Sequence, residues 1–444
     1  MGGLVVSLTQ TLVVPVLPTL PGTLQVSAST ASWLVTITVV VAAACNPVLG
    51  RLGDQFGVRR MILLAQAMFI TGSLVCALTT NISILILGRG LQGISTAAIP
   101  LSISLIARLL GPERRTSAIA LVSAMLGIGG AIGLPLAGLI SQAWGFHALF
   151  WVAAAIGVPT IAATRLLVPE VGSAEAPSPV DITGGALLLL SVTSLLVPLS
   201  RGTQWGWTAP ETLGLFALGI LSAALFVWLE LRRRFPMVDI RLARQRTIAL
   251  TNTASVLVGF GLFVSFLGTT AVLQAPRSTG YGFDMSVLEA GLYQLPGGLA
   301  MAFLSPVSAR IIRSRGARDA MLLGTGILTV GFVARVLLDD TLWQVVGCAL
   351  VIACGTAIAY AAMPSLILVA TPAGQQAAAT GLNALARLLG TSLGSAAFGA
   401  LTVGSAVTDL PTGTAYTLFF ALGAITSLLA LVAVRAINPI SPQA

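Results

Sequence analysis

Few residues in this chain could do chemistry, and their types exclude most kinds of it. All 23 basic residues are arginine, lysine is absent, and His147 is the single histidine. Without lysine the chain can supply neither a phosphate-loop lysine nor a Schiff base, and one histidine excludes two-histidine metal sites. Cys45, Cys76, Cys348 and Cys354 lie inside apolar runs with no CxxC pair, as small buried hydrophobes do. The stretch Gly390-Thr391-Ser392-Leu393-Gly394 fits the GxSxG elbow, but it lies inside a helical run with His147 near the opposite face, and reads as helix packing. No enzyme, metal or cofactor is expected.

What remains is a short set of polar groups inside apolar runs. Arg89, Arg335 and Arg387 fall within such runs, where a charge must face protein or water. Gln10, Gln294, Asn383 and Arg387 are candidates to line a substrate cavity, with Trp33, Phe263 and Tyr360 as an adaptable apolar lining. Glu289 is the deepest carboxylate that the pattern offers. Asp54 lies in a glycine- and arginine-rich segment, Gly50-Arg51-Leu52-Gly53-Asp54-Gln55-Phe56-Gly57-Val58-Arg59-Arg60, between two apolar runs.

The elements that carry these residues follow from composition. Of 444 residues 56% are hydrophobic and 8% charged, about threefold below a soluble domain. That excludes a cytosolic enzyme, a disordered chain and a secreted disulfide scaffold, and fits a polytopic membrane protein. At about 20 residues per spanning helix, the uncharged stretches divide into fourteen helices. They lie near 3–24, 30–49, 61–80, 82–107, 116–141, 146–167, 182–200, 212–231, 247–274, 287–309, 319–338, 342–369, 376–404 and 413–434. Met1-Gly2 runs into apolar sequence without a basic region or a cleavage site, and reads as an uncleaved first helix.

Sorting arginines by loop places eighteen of 23 on the side that holds both termini, and only Arg201 and Arg277 in loops opposite. By the positive-inside rule both termini are cytoplasmic. The same asymmetry accounts for the net charge of +9 without a nucleic-acid partner. A weak repeat aligns Ala118–Gly133 with Ala379–Gly394, and ARIIRSRGAR at 309–318 echoes the segment at 50–60, with Arg313 in the place of Asp54. The expected parse is an N-terminal six-helix bundle at 1–168, two added helices with flanking loops at 169–246, and a C-terminal six-helix bundle at 247–444. Similar halves around a central site are how secondary transporters build alternating access.

The segment at 50–60 resembles the signature loop of the major facilitator superfamily, GxLaDrxGrr, between spans 2 and 3. The resemblance assigns a gating role to Gly50, Leu52, Asp54, Gly57, Arg59 and Arg60, with Asp54 hydrogen-bonded to arginine in the neighbouring bundle. Gln55 and Val58 depart from the usual basic residues. Leu87–Gly93 resembles the RxxQG motif, whose arginine is associated with proton coupling; the role passes to Arg89, about 10 Å inside the outer end, and Gln92. Gly129, Gly133, Pro135 and Gly138 resemble the antiporter motif gxxxGPxxGG, with Leu134 inserted and Ala137 for a glycine. Together these resemble the 14-helix drug:H+ antiporter family. Relatives there carry an acid in helix 1 in the pattern LDxTxVNxALP; Thr9 stands in that place, so coupling turns to another group, with Glu289 as candidate.

The resulting expectation is an all-α exporter of hydrophobic or cationic drug-like compounds in a bacterial plasma membrane, using protons as coupling ion and functional as a monomer. Its partners are small hydrophobic substrates and the bilayer. An exporter of one endogenous lipid or metabolite, or an uncoupled facilitator, shares every motif.

Overall fold

The structure, a computed structural model, describes residues 13, 16, 20–170, 179–402 and 411–438. Its regular elements are all helical, as lipid demands of a backbone that must satisfy its own hydrogen bonds. In chain order they are α1 (Leu20–Leu24), α2 (Ala28–Phe56), α3 (Val58–Ala77), α4 (Ile82–Ile94), α5 (Ala98–Leu109), α6 (Pro112–Trp144), α7 (Phe146–Leu167), α8 (Ile182–Trp205) and α9 (Pro210–Arg232). There follow α10 (Ile240–Ala243), α11 (Arg246–Gln274), α12 (Val287–Phe303), α13 (Ser305–Leu337), α14 (Leu342–Ala370), α15 (Gln376–Leu401) and α16 (Gly413–Arg435). Among the described residues, eleven helical stretches are long and apolar enough to cross a membrane, or twelve if the bent pair Arg114–Gly130 and Pro135–Trp144 forms one span. The chain is a multi-pass membrane protein. Most of the expected helix at 3–24, Gln10 included, lies outside the described residues.

Three boundaries differ from expectation, for one physical reason. The segment at 50–60 is not a loop: α2 runs on to Phe56, α3 begins at Val58, and only Gly57, at φ +103°, separates them. Its echo at 309–318 is also helical, broken inside α13 by Gly316 at φ +87°. Charged residues leaving a bilayer need not end a helix, whereas a left-handed φ does, and glycine adopts it without a Cβ clash. Likewise α8 continues to Trp205, so Arg201, expected in a loop, is inside a helix and fully buried.

Packing rests on small residues, because apolar side chains gain little by exchanging lipid for protein. A Cβ at Gly324 would stand 2.6 Å from the Ala359 nitrogen, and one at Gly355 2.5 Å from that of Leu328, so α13 and α14 meet backbone to backbone. One apolar cluster joins α2, α3, α4, α6 and α7; a larger one joins α11, α13, α14 and α16. Two seams connect them, α2 against α15 and α6 against α12. The pair α8–α9 lies beside the first seam, where Leu188, Val192 and Leu196 share a cluster with Val40 and Ala44 of α2 and Leu385 of α15.

Candidate functional site

The α2–α15 seam closes at the end of the molecule that carries the arginine-rich segments. Asp54, wholly buried in the last turn of α2, accepts from the backbone N–H groups of Ala377 (3.3 Å) and Ala378 (2.9 Å), and from Arg108 at the end of α5. A carboxylate at a helix N-terminus meets unpaired N–H groups and the positive end of the helix dipole. The expected partner was an arginine of the other bundle. The structure corrects this: the arginine comes from the same bundle, and the bundle-to-bundle bonds are made by the backbone of α15. Around it a side chain at Gly50 would run into the Ala377 carbonyl, one at Gly53 would meet Leu101 at 2.7 Å, and one at Gly381 would meet the Asn46 carbonyl at 2.5 Å. Thr380 Oγ1 donates to the Pro100 carbonyl at 3.2 Å.

The other members of the segment act within the first half. Leu52 packs with Leu49, Val58 and Leu101. Arg59 donates to the Arg165 carbonyl (2.6 Å) and Arg60 to Glu170 Oε1 (2.8 Å). With both partners half-exposed or more, the Arg60–Glu170 pair contributes at most about 1 kcal/mol. Losing one side of the buried Asp54–Arg108 pair costs about 3–5 kcal/mol. Asp54 therefore dominates. Beside it opens a cavity of about 310 Å³, lined by Arg51, Phe235, Met237, Val238, Gln375 and Leu382 among others.

Arg89 and Gln92 do come together. Arg89, 1% exposed, donates from Nε to the Leu34 carbonyl of α2 (3.0 Å) and from Nη1 to Gln92 Oε1 (2.7 Å); Gln92 Nε2 donates to Ser73 Oγ of α3 (2.8 Å). The chain of bonds ties α4 to α2 and α3 using neutral acceptors. Glu289 is elsewhere and exposed: its Oε2 accepts from Ser286 N and Oγ as the capping box of α12. The buried carboxylates of the described residues are Asp54, Asp181 and Glu230.

Of the expected cavity residues, three meet. Arg387 Nη1 donates to Asn383 Oδ1 (2.6 Å), its guanidinium lies 5.5 Å from the Tyr360 ring centre, and Asn383 Nδ2 donates to Asn252 Oδ1 (2.9 Å) and Ser255 Oγ (2.8 Å). Phe263 is on the same α11–α15 contact, against Gly394. Gln294 bonds Thr270 Oγ1 between α12 and α11 (2.7 Å). Trp33 is not part of this group; its ring packs at a tilt against Trp205 and lies 4.3 Å under Arg201. Gly129, Gly133, Pro135 and Gly138 are all buried on α6, and Pro135 lies against Gly291 of α12 (3.2 Å from a Cβ there), at the second seam.

Sequence reasoning missed Arg108 and Arg201. Arg201 donates from Nη1 to the Ser29 carbonyl (2.6 Å), Ser29 Oγ (2.9 Å) and Gln204 Oε1 (2.6 Å), pinning α8 to α2, while Gly399 of α15 meets Thr203. A lone arginine near an apolar run's end looks the same whether it caps a loop or anchors a helix, so only Trp33 and Ser29 opposite could have revealed it.

Comparison with known proteins gives a consistent result. Residues 1–395 match the description of the Major Facilitator Superfamily. The chain is 30% identical over 356 residues to the multidrug resistance protein Stp of Mycobacterium tuberculosis, covering 79% of this chain and 64% of that protein. It is 26% identical over 408 residues to the tetracenomycin C resistance and export protein of Streptomyces glaucescens, 90% of this chain and 74% of that one. The chain thus spans less than two thirds of the length of Stp. Its fold is similar to that of the human organic anion transporter MFSD10, with TM-score 0.68 over 98% of this chain and 97% of that one, at 18% identity.

Proposed function

The chain belongs to the major facilitator superfamily, whose members are transporters rather than enzymes, and we propose that it exports small hydrophobic compounds by alternating access, in antiport with protons. The observation that carries this reading is the Asp54 lock across the α2–α15 seam: one buried charge on α2 is held by the backbone of α15 at the arginine-rich end. Such a bond must break for the halves to rock, so it sets the balance between two states. The reading takes the chain as a monomer of fourteen spans, six plus two plus six, with the arginine-rich face and both termini in the bacterial cytoplasm. Export is favoured over import by the antiporter-like motif on α6 and by relatives named for resistance and export.

A second observation narrows the substrate. The sequence places Arg387 near the middle of a span and no carboxylate comparably deep. An arginine over Tyr360 suits a neutral or anionic head group better than a cation, which would meet like charge in a low dielectric. Proteoliposomes given an imposed pH gradient separate these readings. Uptake of a fluorescent fatty acid, accompanied by proton movement and lost in Asp54→Asn, is expected to exceed that of ethidium. Transport indifferent to both the gradient and Asp54→Asn overturns the antiport reading, and preferred ethidium transport overturns the substrate reading.

A further inference from the structure

Two carboxylates that no motif accounts for lie against each other at the arginine-rich end of the added helix pair. Asp181 caps α8: its Oδ1 accepts from Gly184 N (2.7 Å) and from Arg233. Glu230, in the last turns of α9, accepts from Val238 N at Oε2 (3.0 Å). The remaining oxygens, Asp181 Oδ2 and Glu230 Oε1, are buried and have no donor. Both are aimed at the same point. A Cβ at Gly184 would collide with Glu230 Oε1 and stand 2.7 Å from Asp181 Oδ2, so glycine is needed to let the carboxyl groups pair side by side. The residues are 6% and 2% exposed.

Two ionised carboxylates in contact repel, and each bare oxygen has lost its water without gaining a donor. One shared proton removes both problems, because a protonated carboxyl donates to its neighbour. The surrounding charges do not replace it. Arg233 is bonded to Asp181 Oδ1, and its side chain is 34% exposed. Arg232 lies over Trp228, Arg234 over Phe235, and Arg241 donates to the Leu231 carbonyl. Asp239 and Arg244 cap the two ends of α10, and Arg244 and Arg246, the first residue of α11, are exposed. From α2 Arg51 reaches this region, across the cavity, while Gln375, just before α15, and apolar residues of α15 line it.

We propose that Asp181 and Glu230 together bind one proton, and that this proton holds the segment 233–239 in place beside the Asp54 lock. The coupling is geometric. Glu230 fastens Val238, and Arg234 to Asp239 line the cavity whose far wall is Arg51 and the first turn of α15, including the Ala378 that Asp54 holds. Loss of the proton leaves two like charges; Glu230 turns away, releases the Val238 N–H, and the segment loosens from the wall. The site is independent of the antiport proposed above: a transporter that moves no protons would still bind this one.

The test uses the full chain in nanodiscs. Infrared difference spectra between about pH 5 and about pH 9 are expected to show a protonated carboxyl band that both Glu230→Gln and Asp181→Asn remove. Amide exchange of the peptide covering 235–239, corrected for its intrinsic pH dependence, is expected to rise several-fold across that range. In Glu230→Gln, which keeps a donor toward Asp181, it stays flat. A wild-type spectrum with no band removed by either substitution overturns the shared proton. Exchange that is equally pH-dependent in wild type and variants overturns its hold on the segment.

Discussion

The segment at 50–60 and its echo at 309–318 are built alike and used differently. Each is a helix broken once by a glycine at positive φ, Gly57 in one and Gly316 in the other. At the aspartate position the first has Asp54, wholly buried and bonded to α15 and Arg108; the second has Arg313, exposed and donating to Ser117 Oγ of α6 at 2.7 Å. Where the first has Gly50, pressed against the Ala377 carbonyl, the second has Ala309, also wholly buried but with room for its methyl. The repeat therefore preserves the bend and not the lock. A bend is a property of one residue's backbone, whereas a lock needs a complementary helix end within reach.

The largest effect that would sharpen this contrast is expected from Asp54→Ala. It strands Arg108 in a buried site, at a cost of about 3–5 kcal/mol, and substrate uptake into inverted vesicles, the read-out of efflux, should fall at least about tenfold; Arg313→Ala should stay within about twofold. Equal losses in the two variants would break the comparison. Next, Gly50→Ala pushes α2 from α15 and should lower efflux several-fold, while Ala309→Gly, measured in the same assay, should barely change it. Third, Gly57→Ala and Gly316→Ala should each destabilise by about 1–2 kcal/mol through the strained φ, read as a similar fall in thermal midpoint. A marked difference between them would mean that the two bends are not equivalent. Smallest is Ser117→Ala, which removes one exposed bond from Arg313 and should shift the midpoint by no more than the equivalent of about 0.5 kcal/mol.

The added helices offer a second lesson in legibility. Their apolar lengths were readable, and Ile182–Trp205 and Pro210–Arg232 fall near the expected spans. Their attachments were not. Arg201 counted as a loop charge, and Asp181 and Glu230 stood as two unremarkable acids far apart in the chain. Glu289, read as the deepest acid, is instead a solvent-facing cap, because distance along a helix from its start does not measure depth when the start itself projects outward. Among the cavity candidates, Tyr360, Asn383 and Arg387 do gather, yet Trp33 is engaged by Arg201 and Trp205.

By itself the sequence determined what depends on local composition: a multi-pass helical membrane protein, the positions of most spans, and the glycine at each bend. These follow from hydropathy summed over about 20 residues and from the φ of one residue. Only the tertiary structure decided which charges are buried and what they touch. Asp54 meets the backbone of a helix more than 300 residues away, and Asp181 meets Glu230 only because α8 and α9 fold back on each other. A buried charge acquires its role from the donors that surround it, and in a helical membrane protein those donors come from other helices.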